Sequence, residues 1–227
     1  MSDDAFTRVT AKQFHASPGV EDWRVLFWGA HAFFGADSFT AGARFVSAIA
    51  EAAASLDKSP DVDVRPHGVT IRLFTRKDGA LGENDAVLAA RISEIAREQG
   101  LEPDPSAVQT VGIAVAQAEG VDTRPFWTAA LGYVDLFDED AIDPNRRGPH
   151  LWFHDLTPSK PGRGRTHIDV SVPADVIRAR VDAAVAAGGR IVDDSNAPGH
   201  WTIASPDNHG VDLAAWPDFE DYEEDEG

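Results

Sequence analysis

Residues 166–194, THIDVSVPADVIRARVDAAVAAGGRIVDD, read in one pass as strand, helix, glycine turn and strand. In THIDVSV, Ile168, Val170 and Val172 alternate with His167, Asp169 and Ser171, the period of a strand with one apolar and one polar face. The helical stretch that follows stops at Gly188 and Gly189. HWTIAS and VDLAAW then read as two more strands, and in the second Val211 and Leu213 form the apolar side, with Asp212 opposite them. The same order precedes it. QTVGIAVAQ reads as a strand, TRPFWTAALG as a short helix, YVDLF and HLWFHDL as strands, before a basic Gly- and Pro-rich loop, SKPGRGR, at 159–165. Strand, helix and several strands thus recur twice in roughly 110 residues, an internal repeat of architecture.

Upstream of the repeat, EPDPS (Glu102–Ser106) carries two prolines, which resist both helix and central strand, and reads as a linker. The chain before it has its own pattern. A helix is expected over Ser38–Leu56, with Ser38 as N-cap and Phe39, Ala43, Val46, Ala50 and Ala53 as its apolar stripe. Trp23–Phe34, broken by Gly29, reads as a strand pair, and GVTIRLFT as a strand burying Val69, Ile71 and Leu73. GENDAVLAARISEIAREQ reads as a second helix with Val87, Leu88, Ile92 and Ile95 inward and Gly100 at its end. The expected organisation is α+β: residues 1–105, residues 106–217 and an acidic tail, 218–227.

Composition narrows the function classes. The chain of 227 residues has 43% hydrophobic residues, no cysteine and a net charge of −18. Disulfides, thiolate zinc sites and cysteine nucleophiles are excluded. The tail DFEDYEEDEG holds seven carboxylates, which leaves −11 on the rest, so a phosphate-backbone partner is not expected. No apolar run reaches the ~20 residues of a membrane span, and MSDDAFTRVT lacks the basic and apolar regions of a signal peptide. A cytoplasmic location without membrane association is the expectation.

Residues 106–217 resemble the glyoxalase-like branch of the vicinal oxygen chelate superfamily. The resemblance rests on FWTAALGY, RGPHLWF, THIDVSV, the Gly188–Gly189 turn and SPDNHGVDL. It implies paired βαβββ modules cupped around a small-molecule cavity, with ligand positions at His167 and Asp212, His154 nearby and Thr110 where a histidine is often found. These residues are the candidates for catalysis and for a divalent metal. Residues 22–98 are similar to pterin-4a-carbinolamine dehydratase, through the SFTAGARFVSAIA helix, SPDVDV with GVTIRLFT, and GENDAVLAARI. That resemblance implies a metal-free dehydratase that self-associates, so a homo-oligomer and a pterin ligand are among the expectations. Its three histidines are replaced here by Lys58, Ser59 and Arg76, with His67 in the intervening loop.

Dehydration of a carbinolamine needs groups that donate and accept a proton near neutral pH, the work of imidazole. Arginine stays charged and serine does neither alone. Lys58, Ser59, His67 and Arg76 therefore read as a rewired or decayed pocket. In the repeat, His167 and Asp212 read either as metal ligands with His154 as third donor or as the polar wall of an organic-ligand pocket. His200 and His209 read as exposed loop residues. Three functions follow: small-molecule binding or lyase-type chemistry in the glyoxalase-like cavity, retained dehydratase activity, or a non-enzymatic assembly module.

Overall fold

The computed structural model describes residues 7–75, 80–136, 140–156, 166–206 and 209–215. Arg76, the 159–165 loop and the acidic tail lie outside the described residues. The chain divides into two compact units, with the boundary between Val108 and Gln109. Among the described residues no helix is long and apolar enough to cross a membrane.

The first unit runs β1 (Arg8–Val9), α1 (Ala11–His15), β2 (Arg24–Leu26), β3 (Gly29–Gly35), α2 (Phe39–Ala54), β4 (Asp61–Arg65), β5 (Gly68–Leu73), β6 (Leu81–Gly82), α3 (Glu83–Gln99) and β7 (Glu102–Pro103). Its main sheet is antiparallel in the order β2-β3-β5-β4, with β7 paired to β3. Alternation sends Ala30, Ala32, Phe34, Val69, Ile71 and Leu73 into one core with α2 and α3. Ser38 caps α2 through its hydroxyl, which accepts from the Ala41 N–H, and Gly100 ends α3 in the left-handed region.

Two expectations fail here. The buried stripe of α2 is Gly42, Phe45, Ile49 and Ala53, while Phe39 is 58% exposed and Ala43 and Ala50 face outward. Glycine decides the rotation: a Cβ at Gly42 would sit 3.1 Å from both Val64 and Val69, so this side alone lets the helix lie close on β4 and β5. Val87 is exposed as well, and α3 buries Leu88, Ile92 and Ile95 with Asp85. Residues 61–65 form the edge strand β4.

Across the other face of this sheet the register sets Arg24, His31, Arg72 and Asp61 in one row. Burial of His31, then the Arg72 charge, push its pKa down to about 3, against the opposing pull of the Phe27 carbonyl and Asp61. Unfolded, the ring takes a proton at its ordinary 6.5, whereas folded it refuses one until about pH 3. Stability is therefore full above the unfolded value and falls as pH drops from about 6.5 toward 3, by up to ~1.4 kcal/mol per pH unit. Denaturant unfolding at pH 7, 6 and 5 should show a flatter slope for His31→Gln than for the parent; equal slopes would remove His31 as the cause.

The second unit runs β8 (Thr110–Gln117), α4 (Arg124–Leu131), β9 (Val134–Leu136), β10 (Asp140–Ile142), β11 (His150–Asp155), β12 (Thr166–Val172), α5 (Ile177–Ala186), β13 (Arg190–Asp193), β14 (His200–Ala204) and β15 (Gly210–Ala215). These strands make one eight-stranded sheet, β13-β14-β15-β12-β8-β11-β10-β9. The two repeats meet at its centre, where β8 and β12 pair antiparallel. Val172, Ile177, Val181, Trp201, Ile203 and Leu213 form one apolar cluster, and Val115, Ala141, Leu151 and Phe153 another. Helices need an apolar sheet face, so the polar residues of the same strands are left on the other.

Candidate functional site

The polar face is built by register. On β8 the residues facing this side are Gly112, Ala114 and Ala116, paired on one flank with His150, Trp152 and His154 of β11. On the other flank Ala114 pairs with His167 and Gly112 with Asp169, and Asp169 in turn lies opposite Asp212 of β15. Strands two apart in a sheet are separated by roughly 9.5 Å, too far for side chains to meet over bulky neighbours. The small residues of β8 form a low floor over which the flanking rings close: Trp152 and His167 stand 6.3 Å apart, His154 and His167 5.6 Å. Gly112 is required here, since a Cβ on it would fall 2.3 Å from His150 Cε1.

Local chemistry fixes the start of β11. Asp143 accepts the backbone N–H groups of Asn145, Arg147 and Gly148, which hold its carboxyl below the usual range, and the Tyr133 hydroxyl donates to the Pro149 carbonyl. This accounts for RGPHLWF as a motif, because a Cβ on Gly148 would collide with the Tyr133 hydroxyl.

At the centre lies His167, its side chain 2% exposed. Nε2 is 3.3 Å from Asp169 Oδ1 and 3.2 Å from Asp212 Oδ2. One N–H cannot align with two carboxylates at once, and neither ring nitrogen makes a hydrogen bond of acceptable geometry among the described residues. The distances are those of charge contact without directed bonding. Trp152 Nε1 donates to Asp169 Oδ2 and so orients that carboxylate. His167, Asp169 and Asp212 each offer one donor atom, all within 4.8 Å of one another, a set that fits a divalent cation.

The candidates read from sequence are thus distributed as follows. His167 and Asp212 share one face and are in contact, and His154 lies beside them. Asp169 belongs to the same cluster but was no candidate, although its position two residues after His167 in one strand was signal enough. Thr110 pairs with Ser171, at the far end of β8 from Ala116. His200 opens β14 half-buried instead of sitting in a loop, while His209 is exposed.

In the first unit the described pterin-pocket candidates, Lys58, Ser59 and His67, do not converge on one site. The Lys58 ammonium lies 2.8 Å from Asp85 Oδ1, and it donates to the Thr75 hydroxyl at 3.4 Å. Asp85 is buried and accepts from the Gly82 N–H and the Thr75 hydroxyl through Oδ2, so its carboxylate caps α3. The Lys58–Asp85 contact meets the ion-pair distance but not hydrogen-bond angles at Oδ1. Ser59 is exposed. His67 sits in the β4–β5 turn against Phe33, with the whole of β5, about 20 Å of strand, between it and Thr75. The grouping of His67 with Lys58 is therefore corrected: opposite ends of one strand separate them.

Comparison with known proteins agrees with both halves. Residues 112–214 match the family described as glyoxalase-like domain, and residues 7–95 match the family described as pterin 4 alpha carbinolamine dehydratase. A Nocardia farcinica (strain IFM 10152) protein described as "Putative pterin-4-alpha-carbinolamine dehydratase" is 42% identical over 62 residues, covering 27% of this chain and 65% of that one. A solved structure from Bacillus halodurans, described as "a putative glyoxalase", is 11% identical and covers 45% of this chain and 90% of its own, with a TM-score of 0.19. The chain thus carries a dehydratase-like domain followed by a glyoxalase-like domain.

Proposed function

We propose that this chain acts on a small polar molecule in its glyoxalase-like domain, by lyase-type chemistry, and that its dehydratase-like domain no longer supplies acid–base catalysis. The observation that carries the reading is His167, a buried imidazole in contact with two carboxylates and with neither nitrogen directed at a partner among the described residues. Leaving a polar group buried and unsatisfied costs on the order of 1–3 kcal/mol, and a site held open in this way is recovered by a bound ligand. His167, Asp169 and Asp212 are the residues that would hold a divalent cation. Such an ion polarises a carbonyl or hydroxyl oxygen and favours proton loss from the group bound to it.

The protein's own groups do the remainder. Trp152 fixes the Asp169 carboxylate, and the small residues of β8 let the groups of β11 and β12 approach one another over them, with the apolar clusters packed on the opposite face of the sheet. The test is calorimetric titration of chelator-treated protein with Co2+ or Mn2+, with melting followed in parallel. One site per chain is expected, with a stabilisation of ~2.7 kcal/mol at a hundredfold excess over Kd. His167→Ala should leave only the weak, multiple binding of exposed carboxylates. Identical isotherms for parent and variant would overturn the cation reading.

A further inference from the structure

We propose that the stretch WPDFEDY, residues 216–222, docks on the face of the first unit's sheet that lies away from its helices, as an intrachain interface.

The face is defined by alternation. The core residues of β2, β3 and β5 meet α2 and α3, which leaves Leu26, His31, Phe33, Arg72 and Phe74 on the other side. All three helices of the unit bury their apolar residues in the core, Phe14 of α1 included. Leu26 is nevertheless 2% exposed and His31 5%. Side chains on a sheet stand roughly perpendicular to it, so same-face neighbours flank these two residues and a cover comes from another segment.

His31 specifies what that cover carries. The Phe27 carbonyl accepts from its ring, and the nitrogen left over is Nε2, buried and without a hydrogen-bond partner among the described residues. The ring is neutral near pH 7, so Nε2 presents a lone pair that requires an N–H or O–H donor. Charge adds a second condition. Arg24 and Arg72 flank His31 in the register, with Asp61 beyond Arg72 and ion-paired to it at 2.8 Å. The row is net positive in a chain of net charge −18. The Arg72 guanidinium lies 5.2 Å over the Phe74 ring, and arginine among aromatic side chains is the composition of a protein interface.

Residues 216–222 meet each condition. They follow Ala215, the last residue of β15, and lie outside the described residues. Trp216, Phe219 and Tyr222 recur at every third position, the apolar complement of Leu26, Phe33 and Phe74. The Trp216 indole and the Tyr222 hydroxyl are donors of the kind that the His31 lone pair requires. Asp218, Glu220 and Asp221 stand between the rings, opposite in sign to Arg24 and Arg72.

The experiment reads His31 in the full-length protein. Diethyl pyrocarbonate acylates accessible neutral imidazoles, and the rate at each histidine is followed at pH 7 by peptide mass spectrometry. In the parent His31 should react far more slowly than the exposed His67. In the triple variant Trp216→Ser, Phe219→Ser, Tyr222→Ser it should approach the His67 rate, while the buried His167 of the second unit stays slow. A second measurement leaves the stretch intact. The chain has no cysteine, so Glu224→Cys takes a single nitroxide, which should broaden the ring-proton signals of His31, identified by their loss in His31→Gln. His31 reacting alike in parent and triple variant, fast or slow, overturns the docking, as does a nitroxide at position 224 that leaves the His31 signals sharp. Broadening seen only between spin-labelled and isotope-labelled copies gives the face to a second chain and overturns the intrachain interface.

Discussion

Asp212→Asn is expected to weaken Co2+ or Mn2+ binding by two orders of magnitude or more while leaving the unliganded protein as stable as its parent, or more stable. The two effects have one cause. Asp169 and Asp212 are register partners on adjacent strands, and like charges set opposite each other in a sheet cost ~0.2–1 kcal/mol. Both carboxylates face the same His167 nitrogen, which can satisfy only one of them by a directed bond. A fold selected only for stability would avoid that arrangement, whereas a cation placed among the three groups turns the repulsion into coordination. The asparagine keeps the shape and removes one charge, so it relieves the repulsion and deletes a ligand. Urea unfolding with and without chelator measures both quantities on one sample. If Asp212→Asn instead loses ~2 kcal/mol or more in the unliganded state, the carboxylate is a structural partner of His167, and the functional reading of the cluster fails.

How much of this was legible in the sequence depends on which kind of signal each feature leaves. Strand alternation is local, so THIDVSV and VDLAAW placed His167 and Asp212 on polar faces without any tertiary information. The same alternation already placed Asp169 beside them, signal enough to make it a candidate, and the ion-pair distance puts it in the cluster. The β8 floor left no such trace. Gly112, Ala114 and Ala116 are unremarkable in a strand until the register sets them between His150, Trp152 and His154 on one side and His167 and Asp169 on the other. Helix rotation was illegible for a related reason: in α2 the alanines fit either of two stripes, and the close approach of Gly42 to Val64 and Val69, a contact between distant segments, selects one. Lys58 looked like a substitute for a catalytic group because its partner, Asp85, lies 27 residues away in sequence, at the start of α3.

That ion pair determines the second large effect. The protein is expected to show carbinolamine dehydratase turnover at least ~100-fold below that of a histidine-bearing relative, the range that general acid–base catalysis contributes. Lys58 is committed to Asp85, Ser59 is exposed and His67 lies at the far end of β5. The one buried histidine of this sheet, His31, is held neutral down to about pH 3 and sits in the row of Arg24, Arg72 and Asp61, away from the Lys58–Thr75–Asp85 network. Restoring histidine at positions 58, 59 and 76 tests more than catalysis. Lys58→His withdraws the ammonium that faces a buried carboxylate, and stranding one member of a buried pair costs ~3–5 kcal/mol, less here by what the Gly82 N–H and Thr75 hydroxyl retain. The triple variant should therefore melt lower than the parent and recover little turnover, while Ser59→His with Arg76→His should leave stability unchanged. Parent turnover equal to that of the histidine-bearing relative would sink the first claim. A triple variant as stable as the parent would show that Asp85 needs no cation, and that Lys58 is free to serve the pocket.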